Sequence, residues 1–299
     1  MDMLRIANLQ KSFGDKQVLR GINLTVPEGS VFGFIGKNGS GKTTTMKMAL
    51  GLLKADGGEI YVNGEKVLYG QTPTNRYIGY LPDVPQFYSF MTAYEYLCFC
   101  GEISGMDKAE NEQRCKELLE LVGLANEKHR IKGFSRGMKQ RLGIAGALLN
   151  RPKLLICDEP TSALDPVGRK EILDILSAVR TQTTVLFSTH ILSDVERICS
   201  DVAFLDNGVI KIQGKIEDIK AQNRRKGYRL QTAKEEDTRV IVENFPKMMQ
   251  GGNNQLAFKE DCYDAAKVLH FIADKGIMLW KWERIEPSLE TLFMEVTEK

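Results

Sequence analysis

The chain has 299 residues, of which 42% are hydrophobic and 27% are charged, and its formal net charge is +2. This composition can bury a sizeable core and excludes global disorder, and at this length two domains are expected. The near-neutral charge balance predicts no nucleic-acid partner. No apolar run reaches the ~20 residues of a membrane span, and the N-terminus lacks the apolar core of a signal peptide, so we expect a cytoplasmic protein.

The first half of the chain is predicted to pass from strands to helices. Alternating residues over about 1–35 predict antiparallel strands with turns, and a buried strand at 31–35 is followed by a helix from Thr44. The pair Asn63-Gly64 predicts a hairpin turn. Strands at 59–62 and 78–81 and a helical region over about 92–125 follow.

The second half of the chain alternates apolar strands with an amphipathic helix. Strands are predicted at 153–158, 184–189 and 202–205, and a helix at 167–179. This alternation predicts an α/β fold with a mainly parallel sheet. The polar run 221–226 predicts a domain boundary, and weaker strand and helix patterns from Gly227 predict a small second core. The apolar positions expected there are Leu256, Phe258, Ala265, Leu269, Ile272, Ile277 and Trp280.

The stretch 36–43 reads Gly-Lys-Asn-Gly-Ser-Gly-Lys-Thr and fits the phosphate-binding pattern G-x-x-x-x-G-K-[ST]. Its glycines allow successive N–H groups to converge on one anion, and the helix that follows adds its N-terminal dipole. Lys42 is predicted to reach the outer phosphates and Thr43 to bind Mg²⁺. The alternative, a glycine-rich turn that matches by chance, is disfavoured by the strand before and the helix after. The nucleotide-binding residues expected here are Gly36, Lys37, Asn38, Gly39, Ser40, Gly41, Lys42, Thr43 and Thr44.

Two adjacent carboxylates, Asp158 and Glu159, close the buried strand at 153–158. Neighbouring like charges at the end of a buried strand are costly unless a cation or a function keeps them there. We interpret Asp158 as the magnesium partner and Glu159 as the general base that polarises the attacking water. The alternative is an exposed turn before Pro160.

An ordered set of motifs over about residues 1–220 resembles the ATP-binding subunits of ABC transporters. The phosphate loop and the motif at 154–159 match this family, and Phe-Ser-Arg-Gly-Met at 134–138 takes the place of its Leu-Ser-Gly-Gly-Gln signature. The order of the motifs is more specific than any one of them. Further matches are Phe13, at the position of an aromatic that stacks on adenine, Val18 in the same nucleotide site, the D-loop from Ser162 to Asp165, and the switch histidine His190.

The resemblance implies an ATPase that uses ATP and Mg²⁺, with Glu159 and His190 in catalysis and Thr43 and Asp158 at the metal. In this family each ATP lies between the phosphate loop of one subunit and the signature of another. A head-to-tail dimer with a second copy or a paralogous subunit is therefore implied. The signature residues expected to bind the partner's ATP are Ser135, Arg136, Gly137 and Met138.

The resemblance also implies the architecture and a membrane partner. The fold would be a P-loop NTPase core with an antiparallel β subdomain and a helical subdomain (about 84–150) in a domain of residues 1–221, plus a small C-terminal α/β domain at 222–299. Closure on ATP would act on integral membrane permease subunits docked near 83–96, a segment rich in aromatic residues. The protein would then be peripheral on the inner face of the cell membrane.

Two positions depart from the family pattern. Asp83 stands where the family has the Q-loop glutamine, so it is a candidate magnesium ligand, and Gln86 could substitute only if the loop shifts. Arg136 and Met138 replace Gly and Gln of the signature. Arg136 would add positive charge near the partner's nucleotide, or it lies on a solvated face.

The C-terminal run 286–293 resembles the export-type subfamily that carries peptides, antibiotics or drugs. The expected function is therefore an ATP-hydrolysing motor subunit of an exporter. One alternative is the ATPase of a sensing complex. Another is a non-transport ABC ATPase that acts on ribosomes or DNA, which is disfavoured because those types carry two nucleotide domains or long insertions.

Overall fold

The computed structural model describes residues 1–70, 73–222, 227–285, 289–290 and 292–293. It divides into two compact units, Met1–Ile216 and Glu217–Lys299. Residues 223–226 of the polar run 221–226, and half of the C-terminal run 286–293, lie outside the described residues. No helix in the described part of the chain has the length and apolar content needed to cross a membrane.

The secondary structure follows in chain order. The strands are β1 (Asp2–Phe13), β2 (Lys16–Pro27), β3 (Val31–Ile35), β4 (Gly57–Val62), β5 (Glu65–Lys66), β6 (Ile78–Leu81), β7 (Leu154–Asp158), β8 (Thr184–Thr189), β9 (Asp201–Asp206), β10 (Val209–Lys215), β11 (Gly227–Thr232), β12 (Met249–Gln250), β13 (Gln255–Lys259) and β14 (Leu279–Arg284). The helices are α1 (Lys42–Ala49), α2 (Ala93–Ile103), α3 (Lys108–Leu121), α4 (Arg136–Leu148), α5 (Pro166–Val179), α6 (Leu192–Ile198), α7 (Ile216–Gln222), α8 (Glu235–Asn244) and α9 (Ala265–Asp274). Short 3-10 turns occur at Pro73–Tyr77 and Ile131–Gly133.

The first unit contains two sheets. One has the order β2-β1-β4-β5 with antiparallel pairs, and its β4–β5 turn at Asn63-Gly64 forms the hairpin that the sequence predicts. The other has the order β10-β9-β3-β8-β7-β6 and is parallel apart from β10, which pairs antiparallel with β9. The predicted α/β fold with a mainly parallel sheet is confirmed.

The central strands position the site. Every residue of β3, β7 and β8 is buried, as expected for parallel strands covered on both faces. Because the carboxyl ends of parallel strands meet at one edge of a sheet, these three strands deliver the phosphate loop, Glu159 and His190 to the same edge.

The helical region predicted over 92–125 forms α2 and α3. Thr92 and Glu95 make a reciprocal capping box at the start of α2, and Asp107 caps α3 through the N–H groups of Ala109 and Glu110. The chain therefore breaks into two helices where Asp107 provides a new N-terminal cap.

The second unit is an antiparallel sheet of order β12-β13-β11-β14 with α8 and α9. Its core includes Leu230, Ile241, Leu256, Phe258, Val268 and Ile272. The prediction that Leu269 and Trp280 belong to this core is wrong, since Leu269 is 41% exposed and Trp280 is 69% exposed.

These two exposures have local causes. On α9, Val268 and Ile272 lie four residues apart on the buried face, and Leu269 is turned about 100° from Val268 by the helical repeat. On β14, Gln231 pairs with Lys281 and the next residue, Thr232, pairs with Leu279, so Trp280 is the extra residue of a β-bulge. A bulge breaks the alternation of faces, which turns Trp280 outward.

Candidate active site

The phosphate loop joins the carboxyl end of β3 to α1. Gly41 precedes the helix with a φ of 112°, and a Cβ at this position would lie 2.6 Å from Leu19 Cδ2. No side chain caps α1, so the amides of its first turn are available to an anion. Lys42 Nζ donates to the carbonyls of Gly36 at 2.6 Å and Lys37 at 3.3 Å, which folds the lysine over the loop.

A cavity of about 420 Å³ opens in front of this loop. A neighbouring cavity of about 430 Å³ shares Val18, Asn38 and Gly39 and adds Lys37 and Ser40. The structure thus brings the phosphate loop, the adjacent carboxylates and His190 together. The first cavity is lined by Val18, Asn38, Gly39, Gly41, Lys42, Thr43, Thr44, Asp83, Asp158, Glu159, Ser162 and His190.

Ser188 links the two adjacent carboxylate residues. Its Oγ donates to Asp158 Oδ1 at 2.6 Å and accepts the N–H of Glu159 at 3.0 Å. Ser188 is fully buried, and it lies opposite Asp158 in the parallel pair of β7 and β8. Ser188 was not among the predicted site residues, although it is a serine in the apolar run that leads to His190.

Glu159 is held in an unusual conformation. Its φ is 47°, in the left-handed region, which costs energy for a residue with a side chain. Its Oε2 lies 2.9 Å from His190 Nδ1, and its Oε1 lies 3.2 Å from Lys42 Nζ. Oε1 is buried and accepts no hydrogen bond from the described residues, so the lysine contact is an ion pair without hydrogen-bond geometry.

The cavity carries an excess of negative charge. Asp83, Asp158 and Glu159 line it with Lys42, and no described residue donates a hydrogen bond to the buried Glu159 Oε1. Such a set suits a divalent cation and its bound water. No group of three or more His, Cys, Asp or Glu side chains in the described residues could hold a metal ion by itself. Mg²⁺ characteristically takes one or two carboxylates and completes its shell with water and substrate phosphates, so these residues fit Mg²⁺ bound together with a nucleotide.

The negative charges of Asp158 and Asp83 also affect the ionisation of Tyr80. Burial raises the pKa of Tyr80 to about 12, and the negative charges of Asp158 and Asp83 also raise it. Burial is the larger cause, and the two carboxylates act in the same direction because ionisation of the phenol would add a negative charge near them.

The Asp83 side chain points towards Arg136 of the same chain. Its Oδ1 accepts a hydrogen bond from Ser162 Oγ at 3.2 Å and lies 3.5 Å from Arg136 Nη2. Its backbone carbonyl accepts a hydrogen bond from Gln140 Nε2 at 2.8 Å. Asp83 and Arg136, the two departures noted in the sequence, therefore contact each other. Gln86 lines a different groove and not the phosphate cavity.

Comparison with known proteins decides the family. Residues 19–162 match the family model described as ABC transporter. The uncharacterized ABC transporter ATP-binding protein YxlF of Bacillus subtilis (strain 168) is 39% identical over 297 residues, which cover 98% of this chain and 99% of that protein. This chain is an ATP-binding subunit of the ABC transporter family. The resemblance drawn from the motifs is confirmed.

Two further relatives of this ABC subunit extend the comparison. The bacitracin transport ATP-binding protein BcrA of Bacillus licheniformis is 34% identical over 300 residues, covering 98% of this chain and 97% of that protein. A dimeric structure of a post-hydrolysis state of the ATP-binding cassette MJ0796, bound to ADP and Pi, has a TM-score of 0.64 and 26% identity, and covers 72% of this chain and 99% of that one. The chain has the fold of an ABC ATPase and is an ATPase.

The signature segment of this ABC ATPase lies outside the phosphate cavity of its own chain, since none of residues 135–138 lines it. The Ser135 hydroxyl instead caps α4, where it accepts the N–H of Met138 at 3.2 Å. Asp165 of the D-loop similarly caps α5, accepting the N–H of Gly168 at 2.8 Å. Within one chain no signature residue lines the cavity in front of the phosphate loop, although Arg136 contacts Asp83 and Ser162, which do line it.

Phe13 is also not brought to the nucleotide site. It ends β1 with its side chain half exposed, and Lys11 Nζ lies 5.3 Å from the centre of its ring. Phe13 lines neither of the two cavities, whereas Val18 lines both. The adenine-stacking role of Phe13 stays a prediction.

Proposed function

We propose that this ABC ATPase closes head to tail on a second copy or a paralogous subunit, with two ATP molecules between them. The proposal rests on the observation that the signature residues do not line the cavity that holds the phosphate loop. One chain assembles the phosphate loop, Glu159 and His190 around a cavity, while the signature at 135–138 lies outside it. The likeness to a dimeric ABC cassette bound to ADP and Pi supports the same arrangement.

In the proposed mechanism, Lys42 and the first-turn amides of α1 bind the phosphates of ATP. Lys42 is paired with Glu159 at 3.2 Å in this structure, and the greater negative charge of the phosphates would draw it away from the carboxylate. Glu159 then accepts a proton from the attacking water. His190, 2.9 Å from that carboxylate, orients it and can donate to the γ-phosphate. When bound, Mg²⁺ would be held by Thr43 and Asp158, with Asp83 as a further candidate ligand, and would neutralise phosphate charge.

We further propose that hydrolysis drives a separate membrane permease that exports a peptide, an antibiotic or another small molecule. ABC ATP-binding subunits work with membrane permease components, and BcrA, whose name records bacitracin transport, matches 98% of this chain including its second unit. A groove of about 520 Å³, lined by Pro85, Phe87 and Tyr96 among others, suits a permease contact. Beside it in the chain, Tyr88 and Phe90 are 52% and 61% exposed, which favours a protein contact. Binding there would hold the subunit on the inner face of the membrane.

Glu159→Gln tests the mechanism, because an amide cannot accept the proton from water. We expect ATP binding to persist, turnover to fall at least about 100-fold and ATP-bound dimers to accumulate. Glu171→Gln is the matched control, since Glu171 is exposed and does not line the cavity. Phosphate release measures turnover, and size-exclusion chromatography with ATP measures the dimer. Near-normal hydrolysis by Glu159→Gln would refute the base, and a monomer in saturating ATP would refute the shared site.

The permease and cargo assignments need a separate experiment. The full chain co-expressed with a candidate permease of about six apolar spans should copurify with it in detergent. Membrane vesicles that contain the complex should then move bacitracin in an ATP-dependent way. Copurification with ribosomes would favour the non-transport alternative, and a complex that binds the peptide without flux would favour the sensing alternative.

A further inference from the structure

We infer that Asp194 is a positioning residue for ATP hydrolysis. It fixes the loop that carries Glu159 relative to the turn that follows His190. This inference rests on the roles proposed above for these two residues. Asp194 itself does not line the phosphate cavity. Its effect on the reaction therefore passes through the residues it binds.

Asp194 is a buried carboxylate with two strong partners. Only 3% of the residue is exposed. Thr161 Oγ1 donates to Asp194 Oδ2 at 2.7 Å, and Arg169 Nη2 donates to Oδ1 at 2.7 Å. Aspartate is almost never fully buried unless it is paired, and breaking a buried pair is costly. Removing either partner would leave a buried charge without compensation.

The partners come from the segments that form the site. Asp194 lies four residues after His190, and its N–H donates to the carbonyl of Ile191 at 3.2 Å, which closes the turn after the histidine. Thr161 lies two residues after Glu159. Arg169 belongs to α5, the helix that follows the D-loop. One carboxylate therefore joins the loop of the proposed base, the turn of the switch histidine and α5.

The loop after β7 needs such an anchor because its backbone is strained. Glu159 has a φ of 47° and Ala163 a φ of 53°, and both residues carry side chains. Conformations of this kind persist only where the surrounding structure over-determines them. Thr161 is fully buried between these two residues, so its hydrogen bond to Asp194 fixes the middle of the loop. A shift of the reacting group by about 1 Å can cost about 100-fold in rate.

Thr161→Val and Asp194→Asn test the inference in the full-length chain. Thr161→Val removes one hydroxyl and keeps the shape of the side chain. Asp194→Asn removes the charge and turns an amide donor towards Thr161 or Arg169. We expect kcat to fall about 10- to 100-fold in both variants, while the dissociation constant for a fluorescent ATP analogue stays within about 3-fold. The double variant should be no slower than the slower single variant, because both changes break the same link.

A second ion pair between α5 and α6 provides the matched control. Arg197 Nη2 donates to Asp174 Oδ1 at 2.8 Å, and both side chains are exposed. Asp174→Asn therefore breaks a contact between the same two helices without touching the loops of the site. We expect its kcat to stay within about 2-fold of wild type, since exposed pairs contribute little.

The outcomes separate the inference from the proposed function. A kcat for Thr161→Val within about 2-fold of wild type, an equal loss in Asp174→Asn, or a parallel loss of ATP affinity would overturn the positioning role. If Asp194→Asn fails to fold, Thr161→Val decides. Glu159→Gln is measured alongside. An inactive Glu159→Gln with a wild-type-like Thr161→Val refutes only the role of Asp194, whereas an active Glu159→Gln refutes the base assignment and with it this inference.

Discussion

Ser188→Ala should both destabilise the first unit and slow hydrolysis. The substitution removes the hydroxyl that donates to Asp158 Oδ1 at 2.6 Å and accepts the N–H of Glu159 at 3.0 Å. A hydrogen bond to a charged group contributes about 1.5–3 kcal/mol, and a buried N–H without an acceptor costs about 1–3 kcal/mol. We therefore expect the free energy of unfolding to fall by about 2.5–6 kcal/mol, the sum of the two contributions. The rate should fall as well, because the backbone of Glu159 loses a fixed point.

Thr184→Val is the matched control for this prediction. Thr184 lies on the same strand, β8, and is buried, and its Oγ1 accepts the N–H of Gly29 at 2.9 Å. Gly29 lies at an exposed turn, so its N–H can bind water instead. Deleting this hydroxyl should cost about 1 kcal/mol and leave kcat unchanged.

The assay must report on the first unit. Both tryptophans of the chain, Trp280 and Trp282, belong to the second unit, so intrinsic tryptophan fluorescence would follow the wrong part of the molecule. Urea unfolding followed by proteolysis, with the cleavage sites within residues 1–216 identified by peptide mass spectrometry, reports on the first unit. Equal destabilisation by Ser188→Ala and Thr184→Val, or an unchanged kcat in Ser188→Ala, would refute the proposed link between Ser188 and Glu159.

Two substitutions and one labelling experiment test other parts of the first unit. Gly41→Ala should weaken ATP binding at least about 10-fold, because Gly41 has a φ of 112° and the added Cβ would lie 2.6 Å from Leu19 Cδ2. A dissociation constant for a fluorescent ATP analogue equal to that of the wild type would contradict this. Arg136→Ala should change the free energy of unfolding by less than about 0.5 kcal/mol, since Arg136 and Asp83 are both about half exposed, and should weaken ATP-dependent dimers seen by size-exclusion chromatography. Burial raises the pKa of the Cys157 thiol, so iodoacetamide at pH 8 should label it only after unfolding, as peptide mass spectrometry can check.

Much of the fold and part of the candidate site could be predicted because the signals are local. The phosphate loop needs glycines and a lysine at fixed spacing, and the buried parallel strands are continuous apolar runs. Asp158 and Glu159 are adjacent in the chain, so their common location needed no knowledge of packing. The α/β fold and the family assignment drawn from these motifs are confirmed.

The contacts between distant residues could not be predicted in this way. Ser188 reaches Asp158 only because β7 and β8 pair in parallel with these two residues opposite each other. Asp83 and Arg136 are far apart in the chain and meet where the loop after β6 lies against the start of α4. Trp280 was predicted to be buried because it is apolar, but it is the extra residue of a bulge in β14, and a bulge depends on the pairing of two strands.

By itself, the amino-acid sequence determined the nucleotide-binding chemistry, since each motif is a short run whose residue types and spacing act locally. Only the tertiary structure decided how these motifs are held: Ser188 between Asp158 and Glu159, and Asp194 between Thr161 and Arg169. The physical reason is that a buried polar group finds its partner through the packing of strands and helices, and the pattern of one segment does not record its neighbours in space.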